Sequence, residues 1–366
     1  MSDVGTVIVG GGQAGLATGY HLQQRGIPFV ILDANQRIGD AWRKRWDSLR
    51  LFTVAPYDGL PGMDFPAPSS HYPSKDEVAD FLEHYAQKFE LPIRHGIQVD
   101  RLARNGESFD VSYGAGSIAA TNVVVAIGSY HRPRVPSFAS ELDGSIVQLH
   151  STEYRNPSQL KGGGVLVVGA GNSGAEIALD IAGQHQVWLS GPDTGQEPTR
   201  AGSVPDRFLT PLMWLVATRL TVKTRPGRQL RDRFLDPPRG IPLGRVRRKE
   251  LTAAGIERVG RTTGVTGGYP VIKDGRRLEV SNVIWCTGFT PDFSWIDLAL
   301  PTHNGYPIHD RGIVEEIPGL YFMGLLFQYS LSSALVGGVG RDAAYIADHI
   351  ATTRPHVTSD SGQLAM

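Results

Sequence analysis

The chain has 366 residues, with 36 Lys and Arg balanced by 36 Asp and Glu and 41% hydrophobic side chains, a length for about two domains that each bury a core. Zero formal net charge argues against a nucleic-acid binder. One cysteine, Cys286, excludes an intramolecular disulfide, a CxxC redox pair and a multi-thiolate zinc site.

No basic segment precedes the first apolar run, so no secretory signal is expected. The longest later apolar stretch, Phe208 to Val222, is broken by Pro211 and Arg219 and falls short of the ~20 residues that cross a bilayer. The expectation is a soluble cytoplasmic protein with no integral membrane span, no metal site and no nucleic-acid partner.

Residues 4–9 are an apolar, partly β-branched run, the mark of a buried parallel strand. Gly10, Gly11, Gly12, Gln13, Ala14 and Gly15 follow at once. Helical spacing runs from Leu16 to Arg25, with Gly26 as its C-terminal stop. A second strand, Phe29 to Leu32, ends at Asp33 and Ala34. Strand, GxGxxG, helix, strand and acid form a complete dinucleotide fingerprint. Gly10 permits the tight turn, Gly12 lets backbone approach a pyrophosphate, and Gly15 lets helix and strand pack closely. The helix N-terminus supplies amide donors to the pyrophosphate, and Asp33 can accept from both ribose hydroxyls. A bare GxGxxG could be no more than a tight turn; the surrounding strand, helix and acid favour binding.

Asn122 to Ile127 is the next strand, ending at Gly128 and leading into Ser129, Tyr130, His131, Arg132 and Pro133. His131, beside Arg132 and Arg134, reads as a surface or cofactor-phosphate contact before a catalyst. The hairpin at Asn105-Gly106 carries good turn chemistry.

The fingerprint then repeats. Gly164 to Val168 is a strand, Gly169, Ala170, Gly171, Asn172, Ser173 and Gly174 make a second GxGxxG, and Gln186 to Leu189 is the following strand. Two fingerprints imply two dinucleotides. The second strand ends in Ser190 and Gly191 without a carboxylate, which favours NADPH over NADH because no acid repels a 2′-phosphate. Ser190 and Arg200 are the candidate phosphate contacts, and NADH stays open. Residues 219–249 hold eleven Lys and Arg against Asp232 and Asp236, interrupted by prolines. A solvated insertion over the nicotinamide domain is favoured there over an anionic-membrane or acidic-substrate patch. The apolar positions Phe208, Leu212, Leu215, Val216 and Leu220 stand at helical spacing and are expected to pack, a reading favoured over a substrate-tunnel wall or a membrane-binding face.

Two further segments read as returns to the first domain: Asn282 to Cys286, ending in Thr287 and Gly288, and Leu320 to Met323, ending in Gly324. The expected architecture is an α/β fold of two Rossmann-like dinucleotide-binding domains, the smaller inserted in the larger. The first domain covers residues 1–155 and 278–351, the inserted one 156–277, and 352–366 is a polar tail.

These residues resemble the flavin-containing monooxygenases. The likeness rests on two GxGxxG units about 160 residues apart, the second written Gly-Asn-Ser-Gly, on Gly39-Asp40-Ala41-Trp42 after Asp33, and on the paired strand ends Ala126-Ile127-Gly128 and Cys286-Thr287-Gly288. It covers about residues 4–350 and is nearest to short bacterial members and the plant auxin-forming branch, whose segment is similar to Leu49-Arg50-Leu51 with Leu60-Pro61-Gly62.

The resemblance implies FAD on Gly10, Gly12, Gln13, Ala14, Gly15, Asp33 and Ala34, with Trp42 along the ribityl chain and Gly324 near the isoalloxazine. It implies NADPH on Gly169, Gly171, Asn172, Ser173 and Gly174, and adds Gly128, Thr287 and Gly288 to the cofactor-binding set. Dioxygen is the implied co-substrate, giving a C4a-(hydro)peroxide that oxygenates nitrogen, sulfur or carbonyl carbon of a small organic molecule. A quinone reductase is the alternative.

Two departures stand out. The family motif F-x-G-x-x-x-H-x-x-x-[FY] is approximated by Leu142, Gly144, His150 and Tyr154, with five residues between Gly144 and His150. Where the animal enzymes carry a flavin-facing asparagine, this chain has Phe52, then Thr53. Phe52, Thr53, Gln328 and Tyr329 are the candidate catalytic residues, Ser330, Ser332 and Ser333 candidate helix caps, and His150 a junction residue before a nicotinamide contact. A monomer or homodimer is expected.

Overall fold

The computed structural model describes residues 4–114, 116–197, 204–235 and 242–353. The continuous apolar run β1 (Val4–Val9) is the central parallel strand. It passes through the glycine turn into α1 (Gln13–Gln24) and then β2 (Phe29–Asp33), all of whose residues are buried. A strand covered on both faces needs such a run instead of an alternating pattern. The helix α2 (Lys75–Lys88) starts at a reciprocal cap, where Ser74 Oγ accepts from Glu77 N–H and the Glu77 carboxylate accepts from Ser74 N–H.

The strands β3 (Ile93–His95), β4 (Arg101–Asn105), β5 (Ser108–Tyr113) and β6 (Gly116–Val125) complete most of the first sheet. Its spatial order is β4-β5-β6-β1-β2-β3. The long β6 does two jobs: residues 116–120 pair antiparallel with β5, and residues 120–125 pair parallel with β1.

The second sheet contains β7 (Val147–His150), β8 (Val165–Val168), β9 (Val187–Ser190), β10 (Glu257–Val259) and β11 (Asn282–Trp285). Its order is β10-β9-β8-β11-β7, all parallel. The helices α3 (Asn172–Ala182), α4 (Val204–Arg219), α5 (Arg225–Leu235) and α6 (Arg248–Ala253) lie between its strands in sequence. The chain then returns as β12 (Leu320–Phe322), parallel to β6, and ends in α7 (Val339–Thr353), packed with α1 in one apolar core.

The sheets correct the expected boundaries. Asn282 to Trp285 is not a return to the first sheet; it pairs with β8 and β7 of the second. Val147 to His150, expected in the first domain, also belongs to the second sheet. The two sheets are stitched by Trp42, which packs against the cores of both, and by Trp46 and Leu49, buried within the second core. Leu212, Leu215 and Val216 of α4 do not pack as expected: they are 56%, 48% and 44% exposed. Trp214 of the same helix turns inward and stacks on Tyr57 at 4.9 Å. Among the described residues, no helix is long and apolar enough to cross a membrane.

Candidate active site

The two glycine turns are built alike. At Gly10 the backbone adopts φ +108°, and a Cβ would lie 2.6 Å from the Ala126 carbonyl oxygen; at Gly169 φ is +111°, and a Cβ would lie 2.1 Å from that of Cys286. At Gly15 and Gly174 a Cβ would come within 1.9 and 1.8 Å of the carbonyl oxygens of Gly10 and Gly169. These four positions are closed by the protein itself. Gly12 and Gly171 are different: nothing lies within 4 Å of where a Cβ would stand. Each opens outward at the first turn of a helix, as a backbone surface for a pyrophosphate must. The residues present therefore fit two dinucleotides.

Asp33 is buried at 6% exposure, and its oxygens already hold protein donors. Gly11 N–H donates to Oδ2 at 2.6 Å, and Asn35 donates to Oδ1 from its backbone and side chain at 2.6 and 3.0 Å. The carboxylate thus ties the second strand to the glycine turn. Ala34 beside it is exposed and Trp42 half-buried. Gly324 reaches the same place from β12: a Cβ there would lie 2.9 Å from that of Ala14. In the second unit Asn172 holds the loop above the turn, its amide donating to Pro242 O at 3.2 Å and accepting from Gly244 N–H at 3.0 Å. Gln13 and Ser173 are half-buried at their helix starts.

Gly128 and Gly288, at the two strand ends, each lie against a histidine. Asp292 N–H donates to His131 Nδ1 at 2.8 Å, so the proton sits on Nε2, which donates to Gly128 O at 2.8 Å. Thr152 N–H faces His150 Nδ1 at 3.3 Å, so Nε2 of that ring donates to Gly288 O at 3.2 Å. Burial holds His150 below its ordinary pKa, which keeps it neutral for this contact. Arg134 N–H donates to Gly288 O at 2.9 Å and its Nε to Thr287 O at 3.0 Å. His131 braces the crossing between the sheets, and His150 ties two strand ends of the second sheet. His131 accordingly faces backbone and not a phosphate.

Two expected side chains are buried against partners within the protein. Ser190 is fully buried; its hydroxyl lies 2.8 Å from both Gly260 O and Thr262 Oγ1 and accepts from Thr262 N–H at 3.0 Å. Gln328 is 1% exposed, its oxygen accepting from Leu325 N–H and its nitrogen donating to Arg311 O, each at 3.3 Å. Sequence spacing places such residues at a strand end but cannot say which way they point. Arg200 lies outside the described residues.

Around Tyr329 the chain builds a charged cage. The ring lies between Arg311 and Arg341, at 4.0 and 4.7 Å from its centroid. Asp342, 1% exposed, accepts from Arg311 Nε at 3.0 Å and from Ser333 Oγ at 2.6 Å. Ser333 also accepts from the backbone N–H of Tyr329 and Ser330, which is the cap the sequence suggested. Ser332 is not part of that cap; its hydroxyl pairs with that of Ser330 at 3.0 Å. The inserted segment latches here, Val222 N–H donating to Tyr329 O at 2.8 Å and Arg341 to Thr218 O at 2.7 Å.

Phe52 is 45% exposed, and Thr53 Oγ donates to Asp58 Oδ1 at 2.5 Å. Asp58 was not singled out by sequence. It is fully buried, its Oδ2 has no partner among the described residues, and burial raises its pKa to about 7. An acid between Tyr57 and Gly59 gives no sign in sequence that it will be buried.

Residues 7–214 match the pyridine nucleotide-disulphide oxidoreductase family model. The chain is 42% identical over 358 residues to an uncharacterized CzcO-like oxidoreductase of Geobacillus kaustophilus, covering 95% of this chain and 98% of that protein. It is 27% identical over 343 residues to a probable indole-3-pyruvate monooxygenase, YUCCA9, of Arabidopsis thaliana, covering 83% and 79%. The solved flavin-containing monooxygenase from Stenotrophomonas maltophilia superposes with a TM-score of 0.76 at 28% identity, covering 96% of this chain and 99% of that one. The chain belongs to the pyridine nucleotide-disulphide oxidoreductase family and, within it, to the flavin-containing-monooxygenase-like oxidoreductases, which are flavin-dependent enzymes.

Proposed function

We propose that this enzyme binds FAD on the Gly10–Gly15 turn and NADPH on the Gly169–Gly174 turn, and that it oxygenates a small organic substrate at nitrogen, sulfur or carbonyl carbon. The observation that carries the reading is the pair of matched turns whose middle glycines, Gly12 and Gly171, both open outward. When bound, the flavin supplies two-electron chemistry, taking hydride from the nicotinamide and passing electrons to dioxygen.

The chain's own work is to hold and shield. Gly12 and the first turn of α1 receive the flavin pyrophosphate. Asp33 keeps that turn in shape through Gly11 N–H. Gly324 closes against Ala14, so the segment after β12 stands at the same mouth. Trp214 on Tyr57 and the latch from Val222 to Tyr329 draw the inserted helices over it and exclude water. Phe52 and Thr53, with Tyr329 held by the arginine cage, stand as the residues that shape the reacting face.

Cys286 favours oxygen over a dithiol acceptor. It is the chain's one cysteine, and burial pushes its thiol up to about 12, so no thiol pair can carry electrons onward.

The test is rapid mixing of the anaerobically reduced protein with oxygenated buffer. A near-ultraviolet absorbance that persists before oxidised flavin returns supports the oxygenase. Immediate return of oxidised flavin with one peroxide per flavin sinks it and favours the quinone reductase.

A further inference from the structure

The two sides of α4 differ sharply. Trp214, Ala217 and Thr218 turn to the protein: Trp214 stacks on Tyr57 at 4.9 Å, Ala217 is buried, and Thr218 O accepts from Arg341 at 2.7 Å. Leu212, Leu215, Val216 and Arg219 recur at i, i+3, i+4 and i+7 and share the outer side. Four of the eight exposed large hydrophobic side chains among the described residues, Leu212, Met213, Leu215 and Val216, fall within five consecutive positions. Apolar side chains scattered singly over a surface need no partner, but a stripe of them marks an interaction face.

The chain leaving α4 is strongly basic. Residues 219–235 hold Arg219, Lys223, Arg225, Arg228, Arg231 and Arg233 against Asp232 alone, in a protein of zero formal net charge. Arg219, Arg225 and Arg233 are exposed and have no acceptor among the described residues. The basic helix α5 starts beside the end of α4, across a turn closed by Thr224 N–H on Thr221 O at 2.9 Å. Its first turn is pressed onto that corner, since a Cβ at Gly227 would lie 1.9 Å from Thr221 O.

We infer that α4 and the start of α5 form a seat for an anionic lipid membrane, the apolar stripe entering the acyl boundary and the unpaired arginines meeting the headgroups. An apolar face or a cationic patch alone gives marginal attachment, and the two together give a stable one. The 16 residues of α4 lie in the interface and do not cross it. A second copy of the chain suits this surface poorly, because a two-fold contact through α4 sets the cations of one copy beside those of the other. An anionic headgroup layer over an apolar interior complements both parts. The inference stands apart from the proposed flavin chemistry.

The experiment sediments the FAD-loaded protein with vesicles of phosphatidylcholine alone and of equal parts phosphatidylcholine and phosphatidylglycerol. Binding to the mixed vesicles is expected to be at least about tenfold tighter, since each cation near an anionic surface changes partitioning about fivefold. L212E/L215E and R225Q/R233Q are each expected to lower mixed-vesicle binding at least about tenfold. Both should keep the flavin content and thermal midpoint of the parent, because all four side chains are exposed. Either variant suffices if the other folds poorly. Equal binding to the two vesicle types, binding to neither, or mixed-vesicle binding that survives both variants overturns the inference. So does a concentration-dependent dimer in sedimentation velocity that L212E/L215E abolishes, which assigns the stripe to a second copy.

Discussion

The carbonyl oxygen of Cys286 stands so close over Gly169 that a Cβ there would lie 2.1 Å from it, which only a glycine avoids. Ala126 stands over Gly10 in the same way. The strand that seals each turn is not the next one in sequence but one that returns more than a hundred residues later. Each cradle is therefore a tertiary construction, and its glycines divide into those that close it and those that open outward.

That division predicts opposite phenotypes. G174A places a Cβ 1.8 Å from Gly169 O, backbone that cannot step aside, so it should cost about 3 kcal/mol or more. G171A puts its methyl in open space, with φ −80° that any residue adopts. It should leave the thermal midpoint nearly unchanged, within about 0.5 kcal/mol, yet weaken the nicotinamide dinucleotide at least about tenfold. Thermal melts and calorimetry on both variants check the pair; equal destabilisation by both would contradict it.

G12A applies the same reasoning to the first turn. Gly12 has φ −76° and free space where the methyl would go. The variant should fold normally and purify with little flavin, read from the absorbance ratio of flavin to protein. Full flavin content would remove Gly12 from the pyrophosphate surface.

Asp58 makes stability depend on pH. In the fold its carboxyl keeps a proton up to about pH 7, because burial raises its pKa. In the unfolded chain it ionises near about pH 4. The unfolded state thus loses its proton first, and stability falls as pH rises from about 4 to about 7, then levels off. D58N removes this dependence and should gain about 2–4 kcal/mol at pH 8 over its effect at pH 4. Urea titrations at the two pH values measure it, and an equal effect at both would refute the assignment.

Asp342 is the counter-ion of the arginine cage. It is 1% exposed and serves Arg311 and Ser333 together. D342A leaves two guanidiniums uncompensated beside Tyr329, at a cost of about 3–5 kcal/mol. A chemical melt with less than about 1 kcal/mol of loss would show that the cage is a solvated cluster.

Much of this was legible in the sequence because the fingerprints are local. Val4 to Asp33 encodes strand, turn, helix and strand in one continuous segment, so the spacing alone locates these elements. The partner of Asn282–Trp285 is not local. Its pairing with Val147–His150 and Val165–Val168 joins segments more than a hundred residues apart, and an apolar run carries no address. Ser190 and Gln328 sit where the sequence puts them, but their side chains face inward to backbone partners.

The measurement that bears most directly on the account is anaerobic mixing of the FAD-loaded protein with NADPH, and separately NADH, while the flavin absorbance is followed. If the second cradle delivers hydride to the first, the oxidised flavin bleaches with one equivalent of reduced nicotinamide, and G171A slows this bleaching without loss of flavin. A flavin that stays oxidised with both nicotinamides would contradict the account at its centre.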